Sequence, residues 1–369
     1  MFNYNIFLQI FFGGLISFIL VFVTIPTILR VAHLKSLFDE PGRRRVHKKN
    51  IPTLGGLGIF LGILFTYLFY LDLFDYHSIP FITPSLLIIF AIGIKDDILA
   101  TSPVMKFMGQ FLATLIIIGF GDLRITDFHG FFGIQPDYFV SIIVTSLLMV
   151  FIINGFNLID GVDGLAAIIG IIVIISFSIW FIINGEFLIA ILCSIIVGAL
   201  LAFIYYNVFS TEQKIFMGDS GSLIIGFLVA VIAIRFMELN VPNNRIFLDF
   251  TMNSAPAVAM GIMIIPIIDT LRVFFIRIIH GQSPFTGDKT HIHHRLLTLG
   301  FTHLQVALIM GGVNVIFVIA SYALRNFGML WLLIINLAAG LLIFSIPSYA
   351  IRIKMKRMRK QKSELVTFP

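Results

Sequence analysis

Aspartate and asparagine residues are concentrated in three short segments of the chain. These segments hold Asp96 and Asp97, then Asn154, Asn157, Asp160 and Asp163, and finally Asp219. The middle group recurs every three residues, which predicts a stripe of amides and carboxylates along one face of a helix or 3₁₀ turn. Adjacent carboxylates repel each other, and a bound proton or divalent cation relieves that repulsion. Carboxylates also suit Mg²⁺, which binds through one or two of them together with substrate phosphates.

Histidine residues are concentrated in a fourth segment. His291, His293 and His294 lie within four residues and are followed by Arg295. A zinc site would require cysteine or acidic ligands nearby, and only Asp288 is close in the sequence. We therefore favour contact with an anionic ligand, such as a phosphate, over a zinc site.

Some polar positions have a structural interpretation beside a functional one. The dense basic loop around Arg44 and His47 is either a membrane-surface anchor or a second set of phosphate contacts. Asp219 can cap the helix that follows it or bind a metal. Asp269 lies within an apolar run, three residues before Arg272, which predicts an ion pair along one helix face. An ionisable residue in such a run is also a candidate functional residue.

Acidic residues suited to a metal and cationic residues suited to phosphate together indicate phosphoryl transfer, which depends mainly on positioning and electrostatic stabilisation. The pattern GxxxxGK[ST] is absent from the sequence, which argues against a P-loop ATPase. A site at the boundary of membrane and cytosol would suit one lipid-linked and one soluble phosphate substrate.

The elements that must position these residues are membrane helices. Hydrophobic residues make up 59% of the 369 positions and charged residues only 12%, whereas about a quarter is usual in soluble domains. Because a span needs about 20 apolar residues, the sequence predicts an all-α integral membrane protein with about eleven transmembrane helices. The predicted helices lie near 6–29, 53–71, 80–94, 107–121, 139–156, 164–183, 187–206, 220–238, 254–275, 304–324 and 329–351.

Lysine and arginine predict the orientation of these helices. One set of alternate connections carries 21 of the 25 Lys and Arg residues, and the other four are Arg124, Arg235, Arg245 and Arg325. The side rich in Lys and Arg is predicted to be cytoplasmic. With an odd number of spans, the N-terminus is then expected outside and the C-terminus inside. Residues 1–351 form one polytopic catalytic domain, and 352–369 form a basic cytoplasmic tail suited to anionic lipid headgroups.

Taken together, the motifs resemble those of the polyprenyl-phosphate N-acetylhexosamine-1-phosphate transferases. The resemblance is greatest to the branch that starts O-antigen, enterobacterial common antigen and teichoic-acid linkage synthesis. It extends in order over residues 39–296. The matching pieces are Asp39-x-Pro with Arg44-x-x-His47 and Pro52-x-x-Gly55-Gly56, Asp96-Asp97, Asn154-x-x-Asn157-x-x-Asp160-Gly161-x-Asp163-Gly164, Gly218-Asp219-Ser220-Gly221-Ser222, and Ser283-Pro284-Phe285 through His291-Ile292-His293-His294-Arg295-Leu296.

The resemblance implies transfer of N-acetylhexosamine-1-phosphate, most often GlcNAc-1-phosphate, from a UDP-sugar to undecaprenyl phosphate, with release of UMP. It implies a need for Mg²⁺, for which Mn²⁺ could substitute. It also implies a bacterial inner-membrane protein with its site facing the cytoplasm, a homodimer as the expected assembly, and no nucleic-acid partner.

Residue roles follow from the same resemblance. Asp96, Asp97, Asp160 and Asp163 are expected to be catalytic, and Asp219 and Asp160 to bind the metal. The division of roles among the aspartates, and the choice between direct transfer and an enzyme-linked intermediate, stay open at this point. The expected substrate-binding residues are Arg44, His47, Lys106, Asn154, Asn157, Asn207, His291, His293, His294 and Arg295.

Two other functions are weighed against this one. The related muramoyl-pentapeptide transferases have three consecutive histidines where Ile292 interrupts the series here, which argues against a peptide-bearing substrate. A membrane transporter would place its polar residues near the middle of the bilayer. Here the acidic motifs lie at the ends of predicted spans, so a transporter is the weakest of the three hypotheses.

Overall fold

A computed structural model describes residues 3–35, 51–71, 79–130, 134–241, 250–279, 281 and 291–366. Within these ranges the regular elements are all helical. The α-helices are α1 Asn3–Leu34, α2 Gly55–Phe69, α3 Ile82–Ile98, α4 Pro103–Gly119, α5 Tyr138–Ile159, α6 Leu165–Ile183, α7 Phe187–Ile204, α8 Gly218–Leu239, α9 Ala255–Ile262, α10 Ile264–Ile279, α11 Ile292–Leu299, α12 His303–Ala323 and α13 Met329–Val366. A 3₁₀ turn, Ile79–Phe81, precedes α3, and a π-helical turn, Tyr205–Phe209, extends α7.

Seven of the described helices are long and apolar enough to cross a membrane. They are α1, α5, α6, α7, α8, α12 and α13, whereas α2 and α4 are shorter apolar helices of 15 and 17 residues. This establishes an all-helical, multi-pass membrane protein. Helices are present in each of the regions predicted from the sequence, and α11 is an additional short one.

The predicted helix at 254–275 was wrong as a single element, because the structure divides it into α9 and α10 at Met263. Pro266 lies in the first turn of α10, where the missing N–H of proline leaves no intrahelical hydrogen bond unmade. Deeper inside one continuous helix, the same proline would remove a hydrogen bond and clash with the preceding turn.

α8 is the centre of the bundle. From Ser220 to Leu239 every residue is buried except Arg235, which is half-buried. α2, α3, α5, α6 and α9 pack around it. A helix that is apolar on all sides is stable only when it is surrounded, so its neighbours fix its position and that of the residues at its start.

Glycines allow α2 and α3 to approach the start of α8 closely. The N–H groups of Gly55 and Gly56 donate to the carbonyl oxygens of Phe216 and Met217 at 2.9 and 2.8 Å. A Cβ on Gly56 would come under 3.0 Å from the backbone of Gly221, and one on Gly93 would do the same to Ser220. The start of α8 is therefore held against two helices by backbone contact.

Gly56→Ala is expected to destabilise the protein by about 1–3 kcal/mol, because an added methyl group in a tight interface forces the backbone to shift. Thermal unfolding of the purified protein in detergent measures this. Gly312→Ala in α12 is the matched control, since a Cβ there meets no atom within 4 Å. Equal melting temperatures for the two variants would contradict the proposed close packing.

Candidate active site

Asp97, in the last turn of α3, caps the start of α8. Its Oδ1 accepts the N–H of Asp219 at 2.7 Å, and its Oδ2 accepts the N–H of Ser220 at 3.0 Å. These N–H groups have no acceptor within their own helix and carry partial positive charge. Gly218 leads into this contact with a φ of 72°, in the left-handed region that favours glycine. Asp97 therefore fixes the backbone that carries Asp219.

Lys106 joins two of the three aspartate segments. Its Nζ donates to Oδ2 of Asp96 at 2.8 Å and also to Oδ2 of Asp219. The other oxygen of Asp96 accepts the N–H of Thr101 at 2.7 Å. One ammonium group thus lies between two half-buried carboxylates from α3 and α8, and its charge offsets their repulsion.

Asn157, in α5, contacts Asp219 as well. Its Nδ2 donates to Oδ1 of Asp219 at 2.7 Å and to Oγ of Ser222 at 2.9 Å. Asn154, one turn earlier, instead donates to Oε1 of Gln110 at 2.6 Å. The expected single stripe of amides and carboxylates was wrong, because α5 ends at Ile159 and the chain then turns.

Asp160 follows the last residue of α5. Burial, and then the negative charges of Asp219, Asp97 and Asp163, raise its pKa well above the ordinary value for aspartate. Such surroundings favour either a proton or a bound cation on the carboxyl group. Asp160 therefore lies in surroundings suited to a cation, close to the charge of Asp219. The metal-binding role expected for these two residues stays a prediction.

Asp163 is instead paired with two nitrogen groups. Its Oδ2 lies 2.6 Å from Nζ of Lys214 and 3.1 Å from Nδ1 of His303. Burial alone would raise the pKa of Asp163, but the hydrogen bonds from His303 and Lys214, with their charges, lower it below its usual value. Asp163 is therefore held ionised, and it links the turn after α5 to the loop before α8 and to the start of α12.

Neither Lys214 nor His303 was identified from the sequence. Lys214 lies between the candidate residues Asn207 and Asp219, and this proximity could have identified it as a further candidate. His303 begins α12, and nothing in its sequence context distinguishes it.

Asn207, which was expected to bind substrate, is buried and connects two backbone segments. Its Oδ1 accepts the N–H of Gly164 at 2.6 Å, and its Nδ2 donates to the carbonyl oxygen of Ile215 at 2.8 Å. These contacts hold the Asp160–Gly164 turn beside the segment that leads into α8. Asn207 thus stabilises the backbone on which the site residues lie.

The histidine segment packs against the Asp160–Gly164 turn. His293 is buried, and a Cβ on Gly161 would clash with its ring. Burial lowers the pKa of His293 to about 3, so the ring is neutral at physiological pH. Arg295, which was expected to bind substrate, donates to Oγ of Ser348 in α13 at 2.5 Å.

Comparison with known proteins identifies the family. The glycosyl transferase family 4 model matches residues 79–237, a range that begins just before α3, ends in α8 and contains all three aspartate segments. A probable undecaprenyl-phosphate N-acetylglucosaminyl 1-phosphate transferase of Bacillus subtilis is 30% identical over 88% of this chain and 87% of its own length. The chain belongs to glycosyl transferase family 4.

Two further relatives support this assignment. An undecaprenyl-phosphate alpha-N-acetylglucosaminyl 1-phosphate transferase of Escherichia coli K12 is 30% identical over 76% of this chain and 74% of its own length. A decaprenyl-phosphate N-acetylglucosaminephosphotransferase of Mycolicibacterium smegmatis is 31% identical over 73% and 71%. The family resemblance inferred from the sequence motifs is thereby confirmed.

The donor set of this family 4 site is compatible with Mg²⁺. Among the residues that the structure describes, no group of three or more His, Cys, Asp or Glu side chains could hold a metal ion by itself. Mg²⁺ has no need of such a group, because it commonly takes one or two carboxylates and completes its shell with waters and substrate phosphates. Arg44, His47 and Ser283–Phe285 lie outside the described residues.

Proposed function

We propose that this protein transfers GlcNAc-1-phosphate from UDP-GlcNAc to undecaprenyl phosphate and releases UMP. The observation that carries the proposal is the arrangement of Asp96, Lys106 and Asp219 at the start of α8, with Asp97 holding that start in place. The relatives' names support the acceptor and the transferred group, since both are undecaprenyl-phosphate N-acetylglucosaminyl 1-phosphate transferases by name. Three carboxylates and an ammonium group at the end of a helix bundle suit a reaction between two phosphates at a membrane surface.

The proposed reaction forms one P–O bond and breaks one. An oxygen of the lipid phosphate attacks the β-phosphorus of the UDP-sugar, and the oxygen that bridges the two phosphorus atoms leaves with UMP. The lipid then carries the diphospho-sugar, and the leaving UMP takes the negative charge. Because a phosphate monoester has a second pKa of about 6, the attacking oxygen is largely deprotonated at pH 7. The aspartates are therefore proposed to hold and orient, and no general base is required.

Asp160 and Asp219 are the residues proposed to hold Mg²⁺, which when bound would neutralise the charge of the transferring phosphate. Lys106 is proposed to contact phosphate oxygens, since its ammonium group already lies between Asp96 and Asp219. Asn157 would fix the orientation of Asp219 by its hydrogen bond to Oδ1. A rigid set of charges aimed at the transferring group is the main means of catalysis in such reactions.

The proposal includes the placement of the protein in the cell. Eleven spans, with the N-terminus outside and the C-terminus in the cytoplasm of a bacterial inner membrane, would put this end of the bundle on the side where nucleotide sugars are made. The excess of Lys and Arg on the same set of connections supports this orientation. The expected homodimer stays a prediction.

A transfer assay tests the function directly. Purified protein in detergent is given undecaprenyl phosphate and UDP-GlcNAc labelled in the sugar, with Mg²⁺ or with a chelator. We expect labelled, butanol-extractable lipid and an equal amount of UMP with Mg²⁺, and neither with the chelator. If no UDP-N-acetylhexosamine gave a lipid product, the proposed function would be wrong.

The same assay separates the alternatives. UDP-GalNAc and UDP-N-acetylmuramoyl-pentapeptide are tested as competing donors, and preferential use of the peptide donor would favour a peptidoglycan-type enzyme. Uptake of UDP-GlcNAc into proteoliposomes without UMP release would favour a transporter.

A further inference from the structure

Asp269 is a fully buried carboxylate that two consecutive residues at the start of α11 contact. It lies in α10, with a relative exposure of 0%. Its Oδ2 is 2.9 Å from Nδ1 of His291, and its Oδ1 accepts the N–H of Ile292 at 3.0 Å. Both oxygens are thus used by two consecutive residues at the start of α11. The ion pair expected along α10 was wrong, since Asp269 pairs with His291, and Arg272 lies within 3.5 Å of Oγ of Ser348.

The surroundings of Asp269 make this pairing energetically demanding. Ile264, Ile265 and Ile268 of the same helix are all fully buried. A charge in such surroundings is strongly unfavourable unless it is paired and hydrogen-bonded. A neutral side chain would meet the purely structural need to bind one N–H group. The carboxylate therefore calls for an explanation beyond anchoring α11.

The contact determines which nitrogen of His291 can meet a ligand. With Nδ1–H donated to a carboxylate, the neutral ring carries its proton on Nδ1 and leaves Nε2 as the nitrogen available to a ligand. A histidine held in this way has one tautomer and one orientation.

His291 also lies in a row of rings that leads to the aspartates. Its ring is parallel to that of His293, with centroids 5.6 Å apart and 6° between the planes. His293 in turn lies against Gly161, the residue after Asp160. The position of His291 is thus coupled to the turn that carries Asp160.

We propose that Asp269 is a positioning residue that holds His291, in one tautomer and orientation, for contact with the phosphates of the donor substrate. This inference rests on the proposed function. Asp269 touches no substrate itself, and its whole effect on turnover passes through His291.

The test is a double-mutant cycle measured by kcat and KM for UDP-GlcNAc. Asp269→Asn preserves the shape of the side chain but removes its charge. We expect kcat to fall roughly 10- to 100-fold, by analogy with the loss of a partner that orients a metal-binding histidine, with KM changed less than about threefold. In the His291→Ala background, the same substitution is expected to change kcat by less than about twofold.

Glu238→Gln is the matched control. Glu238 lies in the last turn of α8, at the opposite end of that helix from Asp219. Its buried carboxylate accepts two hydrogen bonds from Thr126. We expect this variant to keep wild-type kcat. Thermal unfolding of all variants shows whether each is folded.

Two results would overturn the positioning role. One is near-normal kcat in Asp269→Asn, and the other is a fall in kcat that is the same with and without His291. Should Asp269→Asn fail to fold, the cycle is repeated with Asp269→Glu, which keeps the charge but moves the carboxylate. A wild-type protein inactive with every UDP-N-acetylhexosamine would instead refute the proposed function, so the two failures are distinguishable.

Discussion

Asp219→Asn is expected to lower kcat by about 10³-fold or more while the protein stays folded. The side chain has one oxygen bound by Lys106 and the other by Asn157. An amide would supply one acceptor at most and would turn an NH₂ group towards one of these donors. It would also remove a unit of negative charge from the proposed metal pair. Losing a single preorganised electrostatic group costs about 10²–10³ in rate, and here two functions are lost together.

The measurement is kcat at saturating Mg²⁺, so that weaker metal binding alone cannot explain a loss. Asp122→Asn is the matched control, because Asp122 is exposed and pairs with Arg124 in the loop after α4. We expect that variant to be fully active. Near-normal turnover of Asp219→Asn, together with an unchanged Mg²⁺ concentration for half-maximal rate, would rule out Asp219 as a metal ligand. A melting temperature close to that of the wild type is required for either conclusion.

The helices could be predicted from the sequence because lipid imposes a simple rule. A long apolar run must form internal hydrogen bonds, and helices do so within one segment. The break at Met263 was the exception. Pro266 lies just after it, but a proline alone does not predict a break here, because α1 continues through Pro26 and α13 through Pro347.

The gathering of the aspartates was also predictable, but their individual contacts were not. Residue type and span ends indicated that Asp96, Asp97, Asp160 and Asp219 would meet at one end of the bundle. Nothing local shows that Asp97 faces the N–H groups of a helix 122 positions later in the chain. The same applies to His291, whose partner Asp269 comes from another helix. Such pairings depend on how helices pack, which a single sequence does not specify.

The geometry also changes how the adjacent pair Asp96-Asp97 is interpreted. In the sequence, nothing distinguishes the roles of these two residues, and a bound metal or proton could relieve the repulsion between their carboxylates. In the structure Asp96 turns to Lys106 and Asp97 turns to the backbone of α8. They are thus separated in function as well as in space. Asp96 belongs to the charged group that it forms with Lys106 and Asp219, and Asp97 holds the backbone of Asp219 in position.

Asp97→Ala is therefore expected to destabilise the protein and to reduce turnover at the same time. Removing the carboxylate leaves the N–H groups of Asp219 and Ser220 without their acceptor. Each buried, unsatisfied donor costs about 1–3 kcal/mol, so for two donors we expect a loss of about 2–6 kcal/mol and a melting temperature several degrees lower. Turnover falls because the backbone that carries Asp219 is no longer fixed. Asp97→Asn, which keeps one carbonyl acceptor, is expected to lie between the wild type and Asp97→Ala in both measurements.

Asp137→Ala supplies the comparison, since Asp137 caps α5 with an exposed hydrogen bond of 2.9 Å to the N–H of Val140. Loss of an exposed cap costs about 1 kcal/mol, and this one is far along α5 from Asn157, so activity should be unchanged. If Asp97→Ala melted like the wild type but were inactive, Asp97 would act on the substrate and not on α8. A parallel loss of stability and turnover, graded from aspartate through asparagine to alanine, is the result that a cap requires. A general base would instead lose all activity at the first substitution, because the amide cannot accept a proton, whatever its effect on the helix.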